Sequence, residues 1–384
     1  MNITDKIFYI GVNDRDIDLF EGQYVVEKGM AYNSYVICDS KTAVLDTVDQ
    51  NFGDEWLGNI ECVLGSKAPD YLVIHHMEPD HSANIDKFAA KYPEAKIVSN
   101  AKSFVMMKQF FGTDYADRQI VVGEGSTLNL GEHELTFVTA PMVHWPEVVL
   151  SYEKNTKTLF SADAFGKFGT MDADEEWTCE ARRYYFGIVG KYGAQVQALL
   201  KKASSLDIER ICPLHGPILT EDLPYYIDLY NIWSSYESET DGVAIFYTSV
   251  YGNTKKAVLL LEEELKKLGC PKVFVTDLAR CDMAEAVEDA FRYSKTVFAT
   301  TTYNGDIFPF MKEFINHLTE RSYQKKTVGI IENGTWAATA ERIIKASLEK
   351  SKDLTYTDTT VHIKSAVNDK NRLEIASLAK ELCK

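Results

Sequence analysis

Through the first 240 residues, short apolar runs alternate with polar, turn-forming stretches, and four of them, 70–74, 134–140, 157–162 and 209–214, have the length and side chains of strands. After a Tyr- and acid-rich stretch at 225–238, which predicts a closing helix and a linker, the pattern changes. Residues 243–247 (Val-Ala-Ile-Phe-Tyr) form a continuous apolar run of the kind buried on both faces of a parallel sheet, and an amphipathic helix is predicted over 255–268. Further strands are predicted at 272–276, 296–300, 327–331 and 359–363, alternating with helical segments. Five β-α units predict a doubly wound parallel sheet. The expected division is a first domain over 1–241 and a second over 242–384.

Composition narrows the function classes. A chain of 384 residues exceeds one ordinary core, and its 45% apolar content is that of a packed protein. No run is long enough to span a membrane, and the start, Met1-Asn2-Ile3-Thr4-Asp5-Lys6, has an early acid and no apolar signal region, so a cytoplasmic protein is expected. The formal charge of −16 repels phosphate backbones and anionic lipid, which excludes nucleic acid and membrane surfaces as expected partners. Seven cysteines stand singly, without C-x-x-C pairs, and are expected to be reduced, mostly buried thiols.

Each of the four early strands runs into a residue able to hold a metal. Residues 70–74 lead into His76-x-Glu78-x-Asp80-His81, 134–140 into Pro141-Met142-Val143-His144, 157–162 into Asp163, and 209–214 into His215-Gly216-Pro217. Side chains at strand ends converge on one sheet edge. The expected partition gives one metal to His76, Glu78 and His144, a second to Asp80, His81 and His215, and makes Asp163 a shared bridge. Two divalent ions, three carboxylates and one hydroxide make a neutral buried cluster. The first turn is similar to that of metallo-β-lactamase-like hydrolases, whose zinc version has histidine where Glu78 stands. A mixed carboxylate and imidazole shell suits redox iron. His75, His133, His317 and His362 lack this placement and are expected to be structural, with His75 on the strand face opposite His76.

In the second domain the strand at 243–247 is followed by Thr248-Ser249-Val250-Tyr251-Gly252-Asn253-Thr254 and a helix. This hydroxyl-rich turn is a phosphate cradle, neither Walker A nor G-x-G-x-x-G. Beyond the carboxyl ends of later strands lie Thr302-Tyr303-Asn304-Gly305 and Asn333-Gly334-Thr335-Trp336, where Tyr303 and Trp336 are expected to flank a flat aromatic ring.

Taken together, His-x-Glu-x-Asp-His, His144-Trp145-Pro146, Asp163 with Phe165-Gly166, and His215-Gly216-Pro217, followed by this second domain, resemble the flavodiiron proteins over essentially the whole chain. The resemblance implies a metallo-β-lactamase-like αββα sandwich holding two non-haem irons, then a flavodoxin-like sheet holding FMN. It implies an oxidoreductase that passes electrons from FMN to the diiron site and reduces O2 to water, NO to N2O, or both, detoxifying these gases in an anaerobe or microaerophile. It also implies a head-to-tail homodimer or dimer of dimers, and an external donor such as rubredoxin or a reduced deazaflavin.

Local departures are Glu147-Val148-Val149, where relatives resemble Asp-Ser-Met, and Asp306 after Asn304-Gly305. Tyr32, Tyr184 and Tyr185 are candidate proton donors near the metals. Lys255, Lys256, Lys312, Lys325 and Lys326 are candidate docking residues for the donor. The competing reading is a binuclear zinc hydrolase with an accessory flavodoxin domain. Glu78 and the unexplained second domain weigh against it.

Overall fold

The computed structural model describes all 384 residues, which divide into two compact units. Met1–Tyr185 with Ala194–Asn231 form the first, and Phe186–Gly193 with Ile232–Lys384 form the second. The sequence expectation had set the break at 241/242. In the structure the short segment Phe186–Gly193 joins the second unit because its aromatic side chain packs there, Phe186 stacking on Phe291 at 4.2 Å.

The first unit is a sandwich of two sheets. One runs in the order Ile7–Tyr9, Tyr35–Cys38, Thr42–Leu45, Tyr71–Val73, Lys96–Ser99, Gln119–Val121, antiparallel at its start and parallel from Thr42–Leu45 onward. The other runs Thr127–Asn129, Glu134–Thr139, Val149–Glu153, Thr158–Phe160, Arg210–Cys212. Inward side chains of both sheets, including Ile37, Leu45, Val73 and Val98 from the first and Leu135, Phe137, Val149 and Phe160 from the second, make one core. Helices such as Gly53–Leu64 and Ala101–Phe111 complete the layers. The latter begins where the Asn100 side chain accepts from Lys102 N and Ser103 N, and it ends at Gly112 with φ 74°.

A polar tie crosses this apolar interior. His75 Nδ1 donates to Asp46 Oδ2 at 2.5 Å, Asp46 Oδ1 accepts from His75 N at 2.7 Å, and the Ser151 hydroxyl donates to His75 Nε2 at 2.8 Å. All three residues are buried, and the tie fixes the end of Tyr71–Val73 against the second sheet.

The second unit is a parallel sheet in the order Val273–Asp277, Thr240–Tyr247, Tyr293–Tyr303, Thr327–Asn333, Thr355–Ile363, with Asp306–Ile307 folded back antiparallel on the third. In chain order this is 2-1-3-4-5, a doubly wound sheet whose direction of winding reverses beside Thr240–Tyr247. The helices Asn253–Lys267 and Asp369–Leu382 pack on one face through Leu261, Leu265, Ile375 and Leu378.

No helix is long and apolar enough to cross a membrane. All seven cysteines are free thiols, but only Cys212 is buried. The expectation of mostly buried thiols is corrected, because Cys62 and Cys179 lie on outward helix faces and the rest are half-buried at helix and strand ends.

Lys326 corrects another expectation. Instead of facing solvent it is 2% exposed, with Nζ donating to Ser238 Oγ and the Phe291 carbonyl, both at 2.7 Å. Burial lowers its pKa from the ordinary 10.5 to about 7. Between these values the unfolded chain binds a proton that the folded chain does not, so this residue makes stability rise with pH. Denaturant unfolding of the wild type is expected to strengthen from pH 7 to pH 10 relative to Lys326→Met, with no difference in slope between pH 5 and pH 6.5.

Candidate metal centre and cofactor loops

All seven metal candidates lie in the first unit and meet in two groups. His76, Glu78, His144 and Asp163 bring ligand-type atoms within 4.8 Å of one another, as do Asp80, His81 and His215. His144 Nε2 is 3.0 Å from both Glu78 Oε2 and Asp163 Oδ2, and His76 Nε2 is 3.3 Å from Glu78 Oε2. In the second group His81 Nε2 and His215 Nε2 approach to 3.0 Å, with Asp80 Oδ2 at 3.3 and 3.2 Å. Asp163 faces both groups, since its Oδ1 is 3.3 Å from His81 Nε2.

Local folding sets these positions. His76 and His75 follow one strand and point to opposite faces, one to this cluster and one to Asp46. Asp80 and His81 sit on the short helix Pro79–Ser82, opened by a proline at its first turn. His144 leaves the loop after Glu134–Thr139, with Met142 at φ 66°. After His215 the chain turns at Gly216 (φ 75°), where a Cβ would lie 2.7 Å from Lys167 Cγ, so only glycine fits.

The residues present fit metal ions. The His215 Nδ1–H donates to the Ala31 carbonyl at 2.7 Å and the His76 Nδ1–H to Glu147 Oε1 at 2.8 Å, leaving both Nε2 lone pairs aimed inward. Both oxygens of Asp80 and Oδ1 of Asp163 are buried without a hydrogen-bond donor. Three carboxylates and four imidazoles in an interior short of donors need cations. With protons alone available, burial pushes Asp163 up, but the charge of His76, the hydrogen bond from His144 and the charge of His81 outweigh it and hold it well below the usual carboxylate range. The same carboxylates, working against burial, raise His144 to about 9 and lift His76 and His81 as well.

The tyrosines divide. Tyr32 and Tyr184 have rings 6.0 and 5.6 Å from His215, and burial raises both phenols so that they stay protonated. Tyr185 instead packs edge-on against Tyr230 at 5.2 Å.

The cofactor loops lie in the second unit. The helix Asn253–Lys267 starts at Gly252 (φ 87°), which has no side chain to cap it, so the N–H groups of Asn253 and Thr254 are open to an anion. Ser249 Oγ accepts from Gly252 N and Lys255 N and shapes the turn, while Thr248 and Thr300 hydroxyls pair at 2.7 Å. Tyr251 and Trp336 are each 92% exposed, and Tyr303 is half-exposed beside them in the predicted set, next to the turn Asn304-Gly305. Three predicted residues are engaged elsewhere. The Asn333 amide bridges to Ser365 through both its atoms, and Thr335 Oγ1 accepts from the Ser365 hydroxyl, so they hold the loop together. Thr302 Oγ1 accepts from Thr339 N in the same way.

Comparison with known proteins agrees with this geometry. Residues 30–216 match the ODP family beta lactamase model, and residues 244–365 match a flavodoxin domain model. The flavodiiron protein of Giardia intestinalis superposes with a TM-score of 0.91 at 25% identity, over 99% of this chain and 96% of that one. The chain belongs to the flavodiiron protein family. Rubredoxin oxygen:oxidoreductase from the anaerobe Desulfovibrio gigas gives a TM-score of 0.91 at 25% identity, covering 100% and 97%. A nitric oxide reductase of Moorella thermoacetica is 27% identical over 91% of this chain and 90% of its own. As a flavodiiron protein the chain is an oxidoreductase with a β-lactamase-like domain followed by a flavodoxin domain.

Sequence reasoning flagged Glu147 only as a departure beside His144. In the structure its fully buried carboxylate accepts from both His76 Nδ1 and Met77 N at 2.8 Å, fixing the imidazole and the backbone behind it. The Ala31 carbonyl, which does the same for His215, carries no side-chain signal and was not legible. Glu147→Ala is expected to weaken divalent-metal affinity about 10- to 100-fold, measured by chelator competition, while Glu147→Gln, which keeps an acceptor oxygen, loses less.

Proposed function

We propose that this chain reduces O2 to water and NO to N2O at a diiron site supplied with electrons through FMN. The observation that carries the reading is Asp163, a buried carboxylate with one oxygen turned to each of two donor groups, in a chain whose other domain is a flavodoxin. Glu78 supports iron over zinc, because it adds a hard anionic donor to a group otherwise rich in imidazole. His76, Glu78 and His144 are assigned to one iron, Asp80, His81 and His215 to the other, and Asp163 to both. The second domain, taken as 242–384, is assigned the FMN, its phosphate at residues 248–254 and its ring near Tyr303 and Trp336.

Bound by these seven residues, an iron pair would supply redox electrons and Lewis acidity for the reduction. Everything else falls to the chain. Glu147 and the Ala31 carbonyl keep Nε2 of His76 and His215 unprotonated and aimed inward. Phe20 and Trp145, with rings 5.3 Å from His215 and His76 respectively, restrict water around the imidazoles. Two NO molecules take up two electrons and two protons to give N2O and water, and O2 takes up four of each to give two waters. Tyr32 and Tyr184 are neutral phenols able to donate hydrogen bonds toward those protons' destination without adding charge.

Electrons come from a separate donor, rubredoxin or a reduced deazaflavin, and the head-to-tail homodimer of the sequence expectation is part of this proposal. The docking face is narrower than five lysines. Lys326 is buried, Lys312 pairs with Asp306 at 2.5 Å and Lys325 with Glu237 at 2.6 Å, whereas Lys255 and Lys256 have no acidic partner. Lys256, Arg372 and Glu263 line a cleft of about 330 Å3 together with Leu259 and Val367, partly on the cradle helix itself. Two cations against one acid beside an apolar patch make a locally basic surface on a chain of charge −16, suited to an acidic carrier.

The iron- and FMN-loaded protein is expected to consume NO anaerobically and O2 in a parallel assay with a rubredoxin reducing system. Asp163→Asn is expected to lower iron content and abolish both. Silence toward both gases with full iron and reducible flavin returns the zinc hydrolase reading. In a second experiment, charge reversal at Lys255, Lys256 and Arg372 is expected to raise the KM for an acidic donor about tenfold at low salt and flatten its salt dependence, leaving flavin reduction by dithionite unchanged.

A further inference from the structure

Glu332, Glu341 and His362, in the second unit, also bring ligand-type atoms within 4.8 Å of one another. They come from three elements. Glu332 lies near the end of Thr327–Asn333, Glu341 in the first turn of Ala340–Ser347, and His362 near the end of Thr355–Ile363.

The imidazole is already oriented. Its Nδ1 is 2.8 Å from Glu332 Oε1, and Glu332, 6% exposed, is anchored by accepting Glu341 N on Oε2 at 2.9 Å. A buried carboxylate takes the Nδ1 proton as its hydrogen bond, so Nε2 carries the lone pair. That lone pair faces Glu341 Oε2 at 3.8 Å. The other Glu341 oxygen accepts from Lys345 Nζ at 2.7 Å and Thr360 Oγ1 at 2.9 Å, which steadies the carboxylate and leaves Oε2 without a hydrogen bond. The His362 side chain is about half exposed and Glu341 a quarter, so an ion from solvent reaches both. Two donors each about 2.1 Å from one tetrahedral ion lie about 3.4 Å apart, a few tenths of an ångström from what is seen.

We propose that His362 Nε2 and Glu341 Oε2 bind a divalent transition-metal ion of the zinc type, with Glu332 orienting the imidazole from behind. Two carboxylates match the charge of the ion, and water completes its shell. The bound ion ties the helix Ala340–Ser347 to the strand Thr355–Ile363. The helix follows directly on the loop 334–339, which carries Trp336, and the strand's end meets that loop where the Ile363 carbonyl accepts from Gly334 N at 3.0 Å, so the ion restrains the loop at its base. The site is separate from the candidate diiron centre and does not depend on the proposed redox role.

The test is a zinc chloride titration of the purified full-length protein against a chromophoric zinc chelator, after elemental analysis has fixed its iron and zinc content. Wild type is expected to take up one more equivalent than His362→Gln or Glu341→Gln, or to hold it at least about tenfold more tightly, with circular dichroism and flavin content equal in all three. Zinc is also expected to shift the fluorescence of Trp336 in the wild type, as judged against Trp336→Phe, but not in the two variants. Equal uptake at equal affinity by wild type and both variants overturns the site.

Discussion

Asp163 and the six side chains around it, all buried or half-buried, concentrate negative charge and imidazole lone pairs in a place where the protein supplies too few hydrogen-bond donors to satisfy them. An interior of this kind is stable only with cations in it, whether protons or metal ions. Without metal, protons do the work, and the raised imidazoles and depressed Asp163 are the record of it. The sandwich is built to withstand this strain. The core between its sheets is apolar, the short helix bearing Asp80 and His81 is anchored to Thr47, and the two outward nitrogens of His76 and His215 each find an acceptor.

Much of this was legible in the sequence because strand ends and ligands coincide. The runs at 70–74, 134–140, 157–162 and 209–214 correspond to Tyr71–Val73, Glu134–Thr139, Thr158–Phe160 and Arg210–Cys212, and every one leads to a candidate metal-binding residue in the cluster. Parallel strands in the second unit were equally clear, since runs covered on both faces leave little doubt about their period. The illegible part was made by tertiary contact. Backbone acceptors such as the Ala31 carbonyl leave no mark on side-chain pattern, and solvent exposure of a lysine cannot be read from its neighbours in sequence. Lys326 is buried because Ser238 and Phe291, far away along the chain, close over it. Cysteine burial failed for the same reason, as apolar character alone does not say which helix face turns inward.

The second unit shows how loops of a doubly wound sheet divide their labour. At the carboxyl ends of its strands the helix Asn253–Lys267 leaves the Asn253 and Thr254 N–H groups free, which favours an anion there. On the same edge, Asn333, Thr335 and Ser365 cross-link two loops so that Trp336 is displayed on a stiff base while its own side chain stays exposed. A tryptophan so exposed is unfavourable unless something covers it, and its rigid support keeps the cost from being lowered by local collapse.

His75 and His76 stand side by side, one serving the polar tie across the sandwich and the other the candidate metal centre. Only the alternation of the extended chain separates their roles. Removing or adding one residue between Tyr71 and His75 would exchange the two imidazoles, burying the ligand against Asp46 and turning the structural histidine toward Asp163. This stretch can therefore drift in composition but not in length, and over evolutionary time its residue count should be far more constant than its residues.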